Sequence, residues 1–149
     1  GPQVLNATGE LDRATLRRLI FADAQHKQWI NQLLHPLIRQ TLLQRCREAN
    51  SDYVILMAPL LFENGLDQAV QRTLCIDVRE QTQIARTCQR DGNSPELVQA
   101  IMDSQLSRVE RLQRSDDSID NEGSDLNALR ERVRELHITY LALSSQHPQ

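Results

Sequence analysis

The chain has 149 residues, 40% of them hydrophobic and 25% charged, with a formal net charge of −3. That length suits one domain, or one domain with a small appendage, and the balance excludes disordered and membrane classes. The acidic excess argues against a general nucleic-acid binder, and no apolar run approaches the ~20 residues of a spanning helix.

A cytoplasmic protein with neither nucleic-acid nor membrane partners is therefore expected. The start at Gly1-Pro2, without Met, reads as a processed or engineered terminus. Cys46, Cys75 and Cys88 are odd in number and lack CxxC spacing. Cys75, inside an apolar run, reads as a small buried hydrophobe. The histidines fall at no metal-ligand spacing, so no metal site is expected. Lys27 is the only lysine, so nearly all the positive charge is arginine, whose planar fork suits phosphate and carboxylate. The plain alternative for any one arginine is a solvated helix surface.

In chain order, Gly1 to Glu10 has little periodicity and ends in the turn-like Ala7-Thr8-Gly9. Leu11, Leu16, Leu19 and Ile20 suit a short amphipathic helix over 11–20. Asp23 can cap a helix from Ala24 to Leu34 with an apolar stripe of Trp29, Ile30, Leu33 and Leu34. His35-Pro36 should interrupt it, because proline disfavours helical geometry in the residue before it. Leu37 to Ala49 reads as the next helix, with Leu42, Leu43 and Cys46 on one side. The apolar run 53–58, stopped by Pro59, reads as a strand buried on both faces, and so does 72–78. Asn64-Gly65 offers a turn between them. Helices are expected over 80–91 and 95–113, with Ser94 as N-cap and Pro95 at the first helical position of the second. A last short strand reads at 118–121, and a closing helix begins behind Ser124 or Asp125 and leads to a frayed 144–149 tail.

Two buried strands with a crossover imply an α/β fold with a parallel sheet. Two clear strands and one weak one are few for such a sheet, and the missing strands are expected to precede the chain's first residue.

Arg86 and Arg90 lie one helical turn apart, with Gln83 on the same stripe. They can grip a polyphosphate with forked hydrogen bonds, or they can form weak surface pairs with Glu80 or Asp91. Arg108, Arg111 and Arg114 make a second ladder, preceded by Gln105, with Glu110 as the ordinary partner. Two arginine-bearing helices around a Gly-Asn-Ser-Pro hinge resemble a lid over an anionic ligand. Glu63, in Pro59-Leu60-Leu61-Phe62-Glu63, should sit beyond a strand's carboxyl end, where open α/β sheets bind ligands. A charged turn residue is the other reading. His35 reads more readily as a helix-terminal histidine than as a base. The sequence contains no GxxxxGK[ST], no GxGxxG and no Ser-His-Asp arrangement, so no nest of backbone N–H groups for phosphates is readable.

The order of segments resembles the bacterial dephospho-coenzyme A kinase family from about Leu11 to Tyr140. The resemblance rests on 11–13, 20–22, Leu33-Leu34-His35-Pro36-Leu37-Ile38, the Pro59 to Glu63 run and the 83–91 run. Gln105, Arg108, Arg111, Asp116 and 119–121 complete it. It implies a P-loop kinase-like three-layer α/β/α fold, helix-rich and here incomplete. Its helical substrate region would span 1–50, its core remainder 51–78 and 115–149, and its arginine-bearing lid 79–114. It implies transfer of the ATP γ-phosphoryl to the ribose 3′-hydroxyl of dephospho-CoA, with ATP and Mg²⁺ in the complete enzyme and none held tightly by these residues. Arg86 would contact the transferring phosphates, with Arg90 in support. Arg108 and Arg111 would line the opposite side of the cleft, and Asn121 would lie near the adenine. Arg13, His35, Pro36 and Glu63 would border the dephospho-CoA site.

The family's phosphate-cradling loop has no counterpart here. The chain alone is accordingly expected to be inactive and to self-associate through uncovered sheet surface. A non-catalytic nucleotide- or coenzyme-binding module and a helical interaction protein remain as alternatives.

Overall fold

The structure is a computed structural model that describes residues 2–123 and 125–146. Expectations about Gly1, the Ser124 cap and the last three residues of the tail fall outside that range, as do the side chains of Pro2, Ala14, Arg17, Phe21, Ala22, Ala24 and Lys27. The chain divides into two compact units, 1–49 and 50–149.

In the first unit, a 3₁₀ turn at Pro2–Val4 leads into a small hairpin closed by an antiparallel bridge between Leu5 and Leu11. Asn6 builds its tip, where Oδ1 accepts from the N–H groups of Thr8 at 3.0 Å and Glu10 at 2.9 Å. Gly9 takes the left-handed φ of 80° that a Cβ would oppose. Asp12 then caps α1 (Arg13–Ala22), accepting from the N–H and hydroxyl of Thr15. Asp23 caps α2 (Ala24–Glu48) through the Gln25 N–H at 2.7 Å, as the sequence predicts.

The expected interruption at His35-Pro36 is absent, because α2 runs through Pro36 as one helix of 25 residues. Proline removes a single i→i−4 bond, at a cost of about 3 kcal/mol, while the turns on either side keep theirs. Cooperative propagation then carries the helix across. Much of the expected apolar stripe is exposed, Trp29, Leu33 and Leu34 among it, and so are Leu37 and Ile38 beyond it.

The second unit holds a parallel pair of strands, β1 (Leu74–Asp77) and β2 (Asp117–Asp120), with Ile76 opposite Ile119 and Asp77 opposite Asp120. Between them run α3 (Glu80–Asp91), α4 (Pro95–Asp103) and α5 (Arg108–Arg114), and α6 (Leu126–Gln146) closes the unit. The buried apolar side chains are Phe62, Leu66, Cys75, Val98, Ile119 and Leu136. Cys75 is thus the small buried hydrophobe expected. None of the described helices is long and apolar enough to cross a membrane.

Two expectations fail here. The run 53–58 forms no strand, and Val54, Ile55 and Met57 are exposed. A strand exists only through a ladder partner, and among the described residues β1 pairs with β2 alone. The single helix expected over 95–113 is two, because Ser107 opens α5 with a capping box, its side chain and that of Glu110 each bonding the other's backbone. Other punctuation agrees with the sequence: Ser94 caps α4 with Pro95 at its start, Gly92 ends α3 at φ 68°, and Asp125 accepts from the N–H groups of Asn127 and Ala128.

The strand pair is tied at its amino end by carboxylates. Asp116 accepts from both the N–H and the hydroxyl of Thr73, each at 2.7 Å. Asp117 receives a fork from Arg72 at 2.6 and 3.0 Å and the Tyr140 hydroxyl at 2.9 Å, which fastens α6 to β2. Tyr53 meets Tyr140 edge-on at 5.7 Å and His137 Nδ1 at 2.7 Å. The Arg72 guanidinium holds the Asp117 carboxyl below its ordinary range. Burial, then the bond to Asp117, pushes Tyr140 up to about 12.

Candidate functional site

The carboxyl ends of β1 and β2 form the edge where an open α/β sheet takes its ligands. Asp77, the last residue of β1, accepts the Asn121 N–H on its backbone oxygen at 2.8 Å. Its carboxylate receives a fork from Arg108, Nε to Oδ1 at 2.7 Å and Nη2 to Oδ2 at 2.6 Å. Arg108 is the first residue of α5, and the Ser107–Glu110 capping box fixes the direction in which that helix starts.

Glu63 approaches the same stretch of chain from the 61–65 turn. The Leu66 N–H donates to the Leu61 carbonyl at 2.9 Å, and Gly65 supplies the positive φ of 61°. Glu63 Oε1 accepts the Leu106 N–H at 3.1 Å and Arg111 Nη2 at 3.5 Å, and that nitrogen also donates to the Leu106 carbonyl at 3.2 Å. Burial alone would raise the Glu63 carboxyl. The N–H groups of its own backbone and of Leu106, with Arg111, outweigh it and hold the group below the ordinary carboxylate range. Arg114 continues the ladder, reaching Asp67 at 3.4 Å and lying 4.5 Å over the Phe62 ring.

The other wall is α3. Arg86 donates to the backbone carbonyls of Asn121 at 2.9 Å and Glu122 at 3.2 Å. Glu122 returns the contact at the start of the helix, where its carboxylate accepts the Arg79 N–H at 2.8 Å and the Thr82 hydroxyl. Those bonds, the hydroxyl's first, lower its pKa. The loop after β2 is therefore clamped to α3 at two points.

The structure thus brings Arg108, Arg111 and Glu63 onto one stretch of chain, and Arg86 onto the loop that carries Asn121. Arg90 stands apart, with its fork spent on the neighbouring Asp91 at 2.7 Å on an exposed surface. That is the surface pairing left open as its other reading. Arg13, His35 and Pro36 all lie on the first unit, Arg13 opening α1 and the other two within the exposed middle of α2.

Sequence reasoning missed Asp77, Asp67 and Glu122 as the acids that hold these arginines and helices. A signal existed for Asp77, an acid ending an apolar strand run. Another existed for the start of α5, the Ser-x-x-Glu spacing of Ser107 and Glu110. Among the described residues, no group of three or more His, Cys, Asp or Glu could hold a metal ion. Chemically, the edge offers guanidinium forks resting on carboxylates and carbonyls, an arrangement suited to holding phosphates.

The dephospho-CoA kinase family model matches residues 1–127. The dephospho-CoA kinase of Shewanella oneidensis is 52% identical over 147 residues, 99% of this chain and 71% of that protein. That of Aeromonas hydrophila is 51% identical, covering 98% and 72%. Among solved structures, a Thermus thermophilus protein aligns with a TM-score of 0.72 at 28% identity, over 93% of this chain and 71% of that one. The dephospho-CoA kinase of Campylobacter jejuni aligns at 0.64 and 26%, over 90% and 68%. The α/β kinase fold expected from the resemblance is the fold of these neighbours. With the family model spanning both units and relatives matching nearly every residue, the chain belongs to the dephospho-CoA kinase family.

Proposed function

We propose that the gene product is an ATP-dependent kinase that transfers the γ-phosphoryl of ATP to the 3′-hydroxyl of dephospho-CoA, the last step of coenzyme A synthesis. This chain would supply the arginine-bearing lid and the carboxyl edge of the nucleotide site. One observation carries the assignment of parts: Arg86 and Arg108 flank the end of the β1–β2 pair, joined through Asn121 and Asp77.

Arg86 contacts the transferring phosphates. Its resting partners are neutral carbonyls, weaker acceptors than phosphate oxygens, so the ligand can displace them. Arg90 supports it from the lid by leaving Asp91. Arg108 and Arg111 line the opposite side, and Asn121 lies by the adenine. Glu63 is the second unit's candidate for dephospho-CoA binding, and Arg13, His35 and Pro36 are the candidates that the first unit carries. Such fixed cations stabilise charge spreading over the phosphoryl group. Mg²⁺ accompanies ATP in this chemistry and neutralises phosphate charge when bound. The described residues do not fit a protein-built Mg²⁺ cage. Both substrates are soluble metabolites, consistent with a cytoplasmic location.

The 149 residues contain no glycine followed by lysine, and hence no cradle for the β- and γ-phosphates of the P-loop kind. The isolated 149-residue polypeptide is therefore expected to make no coenzyme A. Exposed Val54, Ile55, Met57 and Ile76 are expected to pair between copies of it. The test is coenzyme A formation by the product of the whole gene. Turnover that falls about 100-fold or more in Arg86→Gln supports the reading, and an unchanged rate removes Arg86 from it. Saturable dephospho-CoA binding by the isolated polypeptide without turnover would favour the non-catalytic module for that piece.

A further inference from the structure

We propose that Asp77 is a positioning residue for ATP, holding the Arg108 guanidinium by its Nε–Nη2 edge so that its Nη1–Nη2 end is presented to the nucleotide's phosphates. The proposal rests on the reading of Arg108 as an ATP-site residue and adds the group that makes it effective.

The geometry is specific. Asp77 ends β1 at the ligand edge of the sheet, with its backbone locked into the ladder by the Asn121 N–H. Its side chain is 15% exposed, against 41% for Arg108. The anchor is thus the sheltered partner, and the arginine reaches from it toward solvent. The fork is side-on, using Nε and Nη2. A guanidinium carries five N–H donors in one rigid plane. A side-on pair leaves Nη1 and the outer Nη2 hydrogen free at the adjoining end of the plane, spaced for two oxygens of one phosphate.

Fixing that plane before the ligand arrives matters because arginine is rotamer-rich, and ordering it during binding subtracts from affinity. The other arginine pairs at this site do not do this. Arg111 meets Glu63 at a long 3.5 Å, and the Arg90–Asp91 fork joins two adjacent residues of one exposed helix end. At this edge Asp77 ties its fork to the sheet across 31 residues of sequence, as Asp117 does for Arg72 at the amino end of the strand pair. As a stability element such a half-exposed pair contributes little, so its effect should be read in ligand binding.

The experiment uses the product of the whole gene and measures the KM for ATP, the KM for dephospho-CoA, and the unfolding midpoint. Asp77→Asn is expected to raise the ATP KM roughly 3- to 10-fold, with the dephospho-CoA KM and the midpoint nearly unchanged. Arg108→Gln should raise the ATP KM at least as much, and the double variant no more than Arg108→Gln alone. Arg108→Lys keeps the charge without the fork at an exposed position, and should match Asp77→Asn. The proposal is overturned if the Asp77→Asn effect persists in the Arg108→Gln background or if both KM values rise together. It is equally overturned if Asp77→Asn or Arg108→Lys leaves the ATP KM unchanged while Arg108→Gln raises it. An unchanged ATP KM in Arg108→Gln removes Arg108 itself from the ATP site, which is the separate failure of the underlying reading.

Discussion

Arg86 ends on two backbone carbonyls, while Arg108 and Arg72 end on carboxylates supplied 31 and 45 residues away in sequence. This contrast has measurable consequences. Lysine at position 86 keeps the charge but cannot span both carbonyls, so Arg86→Lys should lower kcat and also loosen the Asn121–Glu122 loop, seen as faster amide exchange there. Thr73→Val removes the hydroxyl that bonds Asp116 and should lower stability by about 1 kcal/mol. The carboxyls of Asp116 and Asp117 have folded-state pKa values below their unfolded ones, the first through the Thr73 hydroxyl and the second through Arg72. Their contribution is therefore complete above pH ~4 and is lost as pH falls through the depressed folded values. Tyr140, raised to about 12, acts in the opposite direction, and its share is lost as pH rises from about 10 toward 12. Unfolding midpoints against pH should be flat near neutrality and fall at both ends, with Asp117→Asn flattening both flanks. The arginine fork and its spacing are local properties, so the candidates for gripping phosphate are readable in the sequence. Their resting partners are not, because Asp77, Glu63 and Asp117 reach them only through the fold.

At the scale of elements, what was legible followed local punctuation. Helix α3 falls on its predicted bounds because Gly92 supplies the left-handed cap, and α4 opens where Ser94-Pro95 announces it. The α4–α5 break is written in the Ser107-x-x-Glu110 spacing, which a single helix over 95–113 passes over. Ser107→Ala should cost about 1 kcal/mol. Hydrogen exchange should show α5 opening first, with a rise in the ATP KM because Arg108 is the helix's first residue. Pro36 misled in the other direction. A proline disfavours a helix without forbidding it, and the bonds on either side decide. The strand expected at 53–58 failed for a different reason. An apolar run states a demand for a partner and names none, and among the described residues that partner is not supplied. Lengthening the apolar run would not change this, whereas a neighbouring strand would.

At the scale of the whole molecule, the two units differ in what they hold. The first is two helices with an exposed apolar middle on α2, and the second holds the strand pair, the buried side chains and the arginine edge. The relatives extend well beyond the matched region, since this chain accounts for about 71% of the Shewanella protein's length. Sedimentation of the isolated 149-residue polypeptide should show concentration-dependent association that Ile55→Glu with Met57→Glu weakens. A monomer at all concentrations would contradict the proposed pairing of copies. Family and fold were legible because several short motifs recur in order along most of the chain. The course of the 53–58 run and the acids that hold the arginines were not, since both depend on contacts between distant segments. The most direct test of the whole account is the rate of coenzyme A formation from ATP and dephospho-CoA by the gene product, compared with its Arg86→Gln variant at equal folded concentration. The expected result is robust turnover in the first and a loss of about 100-fold or more in kcat in the second. Equal rates in the two, or no 3′-phosphorylation by the wild type, would contradict it.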